Sequence, residues 1–233
     1  LSSLEQVVLG GEAMDTRRLD NPAIIDNSIE IANAYGPTEA TATCTYYRLT
    51  TQQIVEHQQI PIGKPIPNVR VYLLDEALNP IPVGVVGEIY AAGVGVGEGY
   101  LNRPEQTAAV FVPDPYHDLP DSRMYRTGDL GRYLPDGNIV YVGRSDFQVK
   151  IRGLRIELGE IESCLLKLPD IRAAAVIAYV TSTGDKQLAA YLVSEADQPS
   201  TNELREALAV DLPAYMIPAA YMFLETLPLT PNG

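Results

Sequence analysis

Aromatic, hydroxyl and acidic residues lie close together in the stretch Asn33-Ala34-Tyr35-Gly36-Pro37-Thr38-Glu39. Its glycine and proline predict a turn at the end of a strand. At such a turn, Tyr35 could stack on a flat base, and Glu39 could bind a hard cation such as Mg²⁺, which prefers oxygen ligands. Taken alone, Thr38 and Glu39 are more often ordinary helix-capping residues.

A second group of polar residues lies between Met124 and Glu162. Asp129 follows Gly128, and a carboxylate beside a glycine could accept hydrogen bonds from both hydroxyls of a ribose. A simple turn at residues 127–129 is the more common explanation for these residue types. Asp136-Gly137 lies between two runs of alternating apolar and polar residues, which predicts a tight hairpin.

Basic and aliphatic residues alternate after this hairpin. Lys150, Arg152 and Arg155 lie among valine, leucine and isoleucine. The pattern predicts a strand with one buried face and one positively charged face, which is either solvated or holds phosphate. Glutamates at 157, 160 and 162 and apolar residues at 161, 165 and 168 then predict a helix with an acidic N-terminal end.

Glycines mark two further places. Gly10 and Gly11 follow a predicted strand at 6–9, where a ring or a phosphate could lie against bare backbone, although glycine also commonly ends strands. Positions 93, 95, 97 and 99 are also glycines. No helix follows directly and no acidic residue stands at the required distance, so this run does not match a dinucleotide-binding loop.

Composition excludes several classes of protein. The chain has 233 residues and a net charge of -13, which argues against nucleic acid as a partner. No apolar run is long enough to span a membrane, so no membrane partner is expected. Cys44 and Cys164 stand far apart, which predicts reduced, buried thiols in a cytoplasmic protein. The isolated His57 and His117 favour surface positions over a metal site or a hydrolase triad.

Hydrophobic periodicity predicts a β-rich first part and a mixed second part. Strands are expected at 6–9, 29–32, 69–75 and 85–92, a short helix at 105–111, a connector at 46–67 and a surface loop at 113–122. Short, regularly spaced strands indicate a small barrel or curled sheet. The expected order then continues with strand 148–151, helix 158–167, strands 172–180 and 187–193, helix 201–210 and a strand near 219–224, which indicates a compact α+β unit.

Five motifs resemble, in order, those of the amino-acid adenylation domains of nonribosomal peptide synthetases, which are adenylate-forming enzymes. They are NAYGPTE at 33–39, GEIYAAGVGVGEGYLNRP at 87–104, YRTGDL at 125–130, GRSDFQVKIRGLRIELGEIE at 143–162 and LPAYMIP at 212–218, and LPLTPNG at 227–233 resembles the start of another. The resemblance implies a mixed α/β and α+β fold. It would comprise the last part of an α/β core subdomain at 1–61, a β-rich, barrel-like third core subdomain at 62–145, and a hinge with a mobile α+β C-terminal lobe at 146–233.

The same resemblance implies ATP-dependent formation of an aminoacyl adenylate and pyrophosphate, followed by loading of a phosphopantetheine thiol. Catalytic roles fall on Thr38, Glu39, Asp129 and Arg144, with Glu39 as the Mg²⁺ ligand and Asp146 as the hinge. The residues implied in binding ATP, Mg²⁺ or phosphopantetheine are Gly10, Gly11, Glu12, Asn33, Ala34, Tyr35, Gly36, Thr38, Asp129, Arg144 and Gly153. The residues that would face the amino-acid side chain are Val8, Gly10, Ala34, Ala42 and Thr43.

The implied partners are the amino-acid substrate, the N-terminal part of the same adenylation domain, a peptidyl carrier protein and a condensation domain. In the family, a phosphate loop lies upstream of the position of Leu1 and a lysine follows the position of Gly233. We therefore expect this chain to be inactive alone.

Two alternatives stay open. The first is an acyl-CoA or aryl-acid ligase of the same superfamily, and the second is a noncatalytic interaction module with the same fold. Asp146 followed by Gln148 favours the amino-acid branch, because the coenzyme A ligases usually carry a lysine beside that hinge. The presence of Glu39 and Asp129 argues against a noncatalytic module.

Overall fold

The computed structural model describes residues 4–14, 16, 19, 29–56, 59–182, 184–194 and 198–228. His57 and residues 229–233 of the last motif lie outside these ranges. The chain divides into two compact units, Leu1–Asp146 and Phe147–Gly233, here called unit 1 and unit 2. The further boundary between residues 61 and 62 stays a prediction.

A four-stranded sheet opens unit 1, in the order β1 (Gln6–Gly10), β2 (Glu30–Tyr35), β3 (Thr45–Arg48) and β4 (Lys64–Pro65). β1 and β2 run parallel, with Gly10 opposite Ala34, and the other neighbours are antiparallel. Parallel strands end at the same edge of a sheet, which is where α/β proteins place ligands. The segments that follow Gly10 and Tyr35 therefore begin at one edge.

The second sheet of unit 1 contains β5 (Val69–Leu74), β6 (Gly87–Gly93), β7 (Phe111–Pro113), β8 (Arg123–Tyr133) and β9 (Ile139–Arg144). Most of β6 pairs with β8. β7 pairs with the first residues of β8, and β9 pairs with its last residues. Gly137, with a φ of 81°, lies in the turn of the predicted β8–β9 hairpin. This half-barrel sheet confirms the predicted barrel-like part of the fold.

One apolar core joins the two sheets of unit 1. It contains Tyr35 at the end of β2, Cys44 before β3, Leu73 in β5, Ile89 in β6 and Ile139 in β9. Their burial removes apolar surface from water, which is the dominant favourable term in folding. The end of β2 is therefore fixed against the sheet that carries β8.

The described part of unit 1 also contains two short α-helices. α1 (Thr51–Val55) begins at a capping box, in which Thr50 and Gln53 each accept a hydrogen bond from the backbone N–H of the other. α2 (Pro104–Val110) begins with proline, whose missing N–H has no helical partner to lose at that position. The prediction of a connector at 46–67 is wrong, because most of β3 and all of α1 and β4 lie there.

The main sheet of unit 2 has three strands. β12 (Ile171–Val180) and β13 (Lys186–Ser194) form an antiparallel hairpin, and β14 (Ala220–Phe223) pairs with β13 in parallel. α3 (Leu158–Leu165) and α4 (Thr201–Asp211) pack on this sheet. The predicted α+β order of the lobe is confirmed, with element ends shifted by one or two residues.

The helices of unit 2 follow the expected helical spacing. α3 buries Leu158, Ile161 and Leu165, and α4 buries Leu204 and Leu208. Residues three, four or seven apart share one face of a helix, so each helix presents an apolar stripe to the core. Cys164, between these positions on α3, is only partly buried, so the prediction of two buried thiols holds for Cys44 alone.

A separate hairpin opens unit 2. β10 (Val149–Ile151) and β11 (Leu154–Ile156) pair in antiparallel fashion. Between them, Arg152 has a φ of 53° and Gly153 a φ of 76°, as a two-residue hairpin turn requires. The predicted strand at 148–151 is confirmed as β10, but the basic run does not continue as one strand, because the chain reverses at Arg152-Gly153.

Candidate functional site

Alternation along β8 turns Thr127 and Asp129 toward the interior. Residues two apart on a strand point to the same face, and both residues are 3% exposed. Thr127 Oγ1 donates to the carbonyl of Ile89 at 2.7 Å, and the backbone N–H of Asp129 donates to Thr127 Oγ1 at 3.0 Å. The Asp129 carboxylate thereby occupies a fixed, buried position.

The Asp129 carboxylate joins two other residues that the sequence singles out. Tyr35 Oη donates to Oδ2 at 2.6 Å, and Arg144 Nη1 donates to Oδ1 at 2.7 Å. Only 9% of the Arg144 side chain and 4% of the Asp129 side chain are exposed. Hydrogen bonds to charged groups are strong in such dry surroundings. We call these three residues, together with Asp146, which also binds Arg144, the Asp129 cluster.

Asp146 belongs to this cluster through two parallel hydrogen bonds from Arg144. Arg144 Nε donates to Oδ1 at 2.6 Å and Nη2 donates to Oδ2 at 2.7 Å, and Nη2 also reaches the carbonyl of Thr127 at 3.1 Å. The predicted hinge is the last residue of unit 1. The Arg144 guanidinium therefore binds both Asp129, the candidate residue for ribose binding, and Asp146, the candidate hinge.

Burial and charge shift several pKa values in this region. Burial, reinforced by Asp129, raises the pKa of Tyr35 well above 10.0. The same two causes raise the pKa of Tyr141, whose ring centroid lies 6.5 Å from that of Tyr35, to about 12. Burial disfavours the charge on Arg144, but Asp146 and Asp129 raise its pKa overall. At neutral pH, both tyrosines are therefore protonated and Arg144 is positive.

Glu39 lies in a second group of contacts, in the 3-10 turn Thr38–Ala40 that follows β2. Tyr100 Oη donates to Glu39 Oε1 at 2.6 Å, and Tyr125 Oη lies 3.4 Å from Tyr100 Oη. Thr38 is exposed beside it. A Cβ on Gly36 would lie 2.7 Å from the backbone nitrogen of Cys44, so the tight turn itself requires glycine there.

The predicted site residues at the end of β1 are exposed. This holds for Val8, Gly10, Gly11 and Glu12. A Cβ on Gly10 would lie 2.4 Å from the carbonyl oxygen of Ala34, so strand pairing already explains the missing side chain. Gly11 has a φ of 88° and open space around it, as a strand-ending turn requires. The structural explanation of this glycine pair therefore has direct support.

The remaining predicted residues of unit 1 lie at or near the end of β2. Asn33 and Ala34 are buried, and Asn33 Nδ2 donates to the carbonyl of Pro61 at 2.9 Å, which gives this amide a structural role. Ala42 is exposed with a φ of 62°, and Thr43 is half-buried. A non-glycine residue in the left-handed region is strained, and such residues cluster at functional sites.

Gly153 lies in unit 2, in the exposed turn between β10 and β11. A Cβ at this position would meet nothing within 4 Å. Its positive φ, rather than crowding, is what favours glycine in the structure.

Sequence reasoning missed Tyr100, Thr127 and Tyr141. The period-2 spacing of Thr127 and Asp129 could have placed both on one strand face. No local signal could have found Tyr100, because its contact with Glu39 spans 61 positions. Within the described ranges, no group of three or more His, Cys, Asp or Glu side chains could hold a metal ion. In the same part of the chain, no helix is long and apolar enough to cross a membrane.

Several curated synthetases match the whole chain. Malpibaldin synthetase of Mortierella alpina is 46% identical over 233 residues, which cover 100% of this chain and 4% of that protein. Bacitracin synthase 3 of Bacillus licheniformis is 47% identical over 236 residues, which cover 100% of this chain and 4% of that protein. The chain thus spans 4% of the length of each of these relatives.

A solved structure supports the same relationship. It is that of a holo NRPS protein containing adenylation and PCP domains, bound to a vinylsulfonamide inhibitor. The two structures superpose with a TM-score of 0.85 at 35% sequence identity, over 99% of this chain and 39% of that chain.

Family profiles match both units. Residues 1–101 match the AMP-binding enzyme family, and residues 160–233 match the AMP-binding enzyme C-terminal domain. The chain therefore belongs to the AMP-binding, adenylate-forming enzymes of the nonribosomal peptide synthetase type.

Proposed function

We propose that the protein carrying this chain activates an amino acid with ATP, releases pyrophosphate, and passes the aminoacyl group to the phosphopantetheine thiol of a carrier protein. The observation that carries this proposal is the buried contact of Tyr35 and Arg144 with the carboxylate of Asp129. Family membership supports it, because the matched relatives include a bacitracin synthase and an NRPS protein with adenylation and PCP domains.

Asp129 is the proposed ligand of the ribose hydroxyls. An ionised carboxylate has about four acceptor sites, and Tyr35 and Arg144 use one each. The other sites could accept two hydroxyls without loss of either contact. Because Asp129 and Tyr35 are both buried, ribose binding at Asp129 and stacking of adenine on Tyr35 require local opening of this part of unit 1.

Glu39 is the proposed ligand of Mg²⁺, together with the phosphates of ATP. Mg²⁺ sites of nucleotide enzymes commonly combine one or two carboxylates with substrate phosphates and water. The partly buried Glu39 carboxylate, bound by Tyr100, supplies such a hard oxygen ligand, so the residues present fit the ion. When bound, Mg²⁺ would neutralise negative charge on the phosphates. The exposed hydroxyl of Thr38, on the same turn, is the proposed hydrogen-bond donor to them.

Adenylation requires the amino-acid carboxylate to attack the α-phosphate while pyrophosphate leaves. The chain contributes positioning and charge to this step. Arg144 is positive, but Asp129 and Asp146 offset its charge. We therefore assign to Arg144 mainly the task of holding Asp129 in place, rather than direct binding of phosphate.

The amino-acid side chain would contact the edge where β1 and β2 end. The proposed contacts are Val8, Gly10, Ala34, Ala42 and Thr43, with Gly11 and Glu12 beside the nucleotide. All five contacts are small or medium in size, which suits a roomy pocket.

We propose that transfer to the carrier follows a backbone rotation at the boundary of unit 1 and unit 2. Asp146, at their boundary, is the proposed hinge, because a few residues suffice to absorb a backbone rotation. Gly153 is proposed to line the path of the phosphopantetheine thiol, since a side chain at this exposed turn would narrow it.

ATP–pyrophosphate exchange in the protein that carries this chain tests the proposal. Exchange that depends on an amino acid, followed by aminoacyl thioester on the holo carrier, is the expected result. Exchange with aryl or fatty acids alone would instead identify an acyl-CoA or aryl-acid ligase. Absence of exchange with every acid would identify a noncatalytic module.

A further inference from the structure

We infer that Tyr100 is a positioning residue for the Glu39 carboxylate, and that the glycine run from Gly93 to Gly99 holds both residues in place. This inference rests on the proposed role of Glu39 as a Mg²⁺ ligand. It assigns a task to a motif that the proposed reaction otherwise leaves without one.

The contact between Tyr100 and Glu39 has the geometry of a strong hydrogen bond. Its length of 2.6 Å falls in the range of hydroxyl donors to carboxylates. Because the single proton of Tyr100 points to Glu39, the hydroxyl of Tyr125, 3.4 Å away, can act as donor to Tyr100. Such a chain of hydroxyls polarises the final bond to the carboxylate.

Tyr100 is itself held on three sides. Its backbone N–H donates to Thr107 Oγ1 at 2.9 Å. Its ring meets that of Phe111 edge-on, with centroids 5.6 Å apart. A Cβ on Gly99 would lie 2.3 Å from Thr107 Cγ2, so only glycine lets the chain pass α2 at this distance. The hydroxyl therefore has little freedom to leave Glu39.

The glycine run also fixes the backbone of the Glu39 turn. The N–H of Gly97 donates to the carbonyl of Glu39 at 2.8 Å, and Thr41 Oγ1 donates to the carbonyl of Gly95 at 2.7 Å. A Cβ on Gly95 would lie 3.1 Å from the carbonyl oxygen of Ala40, so a side chain would push the two segments apart. One segment thus restrains both the backbone and the side chain of Glu39.

This double restraint matters because Mg²⁺ demands near-ideal octahedral geometry. Groups that orient a metal ligand typically contribute about 10- to 100-fold to metal affinity. Without Tyr100, the Glu39 carboxylate would lose a 2.6 Å hydrogen bond that orients it. We therefore expect a loss of cation affinity that excess cation restores, with no change in the Michaelis constant for the amino acid.

The test uses Tyr100→Phe in the protein that carries this chain, with Mn²⁺ as the probe in the presence of ATP. Electron paramagnetic resonance should show binding of Mn²⁺ about 10-fold weaker than in the unmodified protein. Tyr125→Phe should show a smaller loss in the same direction, because its hydroxyl reaches Glu39 only through Tyr100. Tyr72→Phe is the matched control, since its hydroxyl contacts the carboxylate of Asp114 at 3.3 Å instead, and it should bind Mn²⁺ normally.

Glu39→Ala separates this inference from the proposed function. If Glu39→Ala loses Mn²⁺ binding while Tyr100→Phe keeps it, only the role of Tyr100 is wrong. If Glu39→Ala keeps Mn²⁺ binding, both the metal role of Glu39 and the inference fail. Equal weakening by Tyr100→Phe and Tyr72→Phe, with lowered melting temperatures, would show a merely structural effect and overturn the inference.

Discussion

The Cβ atom that Gly128 lacks would lie 2.5 Å from Nη2 of Arg144. Gly128 also has a φ of 73°, in the region that side chains disfavour. Two separate causes thus favour glycine beside Asp129: the backbone conformation and the close approach of the guanidinium that binds Asp129 and Asp146.

We expect Gly128→Ala to lower the free energy of unfolding by about 1–3 kcal/mol, because strain and displacement of Arg144 act together. Urea denaturation measures the change. Gly84→Ala is the matched control, since Gly84 has a φ of 84° but open space around it. Gly84→Ala should lower the free energy of unfolding by about 1 kcal/mol, because a side chain there meets only the cost of the positive φ. Equal losses in both variants would contradict a role for the contact with Arg144.

Replacement of Asp129 by Asn should raise the Michaelis constant for ATP about 10- to 100-fold, because hydrogen bonds to a charged group contribute about 1.5–3 kcal/mol. Initial rates of pyrophosphate exchange at varied ATP measure the effect. Asp136→Asn is the control, because that carboxylate accepts local hydrogen bonds from Asn138 in the β8–β9 turn. An unchanged constant in Asp129→Asn would remove the ribose role.

The Asp129→Asn variant should also be less stable, since it leaves the buried Arg144 with one charged partner fewer. Removal of one partner of a buried ion pair commonly costs about 3–5 kcal/mol. The kinetic comparison is therefore made below the melting transition of the variant, as monitored by circular dichroism.

Cys44 should make the protein less stable in alkali. Burial raises the pKa of its thiol from an ordinary 9.0 to about 11. Below pH 9 the thiol is protonated in both the folded and the unfolded state, so its full contribution to the free energy of unfolding is present. Between pH 9 and 11 only the unfolded chain releases the proton, and the free energy of unfolding falls by up to about 1.4 kcal/mol per pH unit. Urea denaturation at several pH values between 9 and 11 should show that the free energy of unfolding of Cys44→Ser falls less steeply with pH. An identical fall in both proteins would contradict the raised pKa of Cys44.

Gly153→Ala should slow thioester formation on the carrier while pyrophosphate exchange stays at its normal rate. The added methyl group would narrow the proposed path of the thiol, which only the second half-reaction uses. Gly184→Ala is the matched control in unit 2, because Gly184 has a φ of 85° and equally open surroundings. Similar effects of both substitutions on transfer would show that backbone strain, and not the thiol path, is responsible.

The secondary structure of unit 2 could be predicted closely because its apolar periodicity is strong. The strand expected at 187–193 extends over Lys186–Ser194, and the helix expected at 201–210 over Thr201–Asp211. The region 46–67 could not be predicted in this way. Its strands β3 and β4 have four and two residues, which are too short for a periodic signal.

The candidate site was predictable residue by residue but not as an arrangement. Tyr35 and Asp129 contact each other across 94 positions, and no local pattern encodes such a distance. Gly10 illustrates the opposite limit. Its sequence context suits either ligand binding or a strand-ending turn, and only the structure shows that the Ala34 carbonyl leaves no room for a side chain.

The parallel pairing of β14 with β13 has a consequence for biosynthesis. An antiparallel hairpin such as β12–β13 can form as soon as its second strand is made, but a parallel partner must return across an intervening crossover. Residues 220–223, which pair with 189–192, are translated only after α4. While the nascent chain emerges from the ribosome, the edge of β13 therefore stays unpaired until its last partner strand is made, and such an edge can pair with other chains.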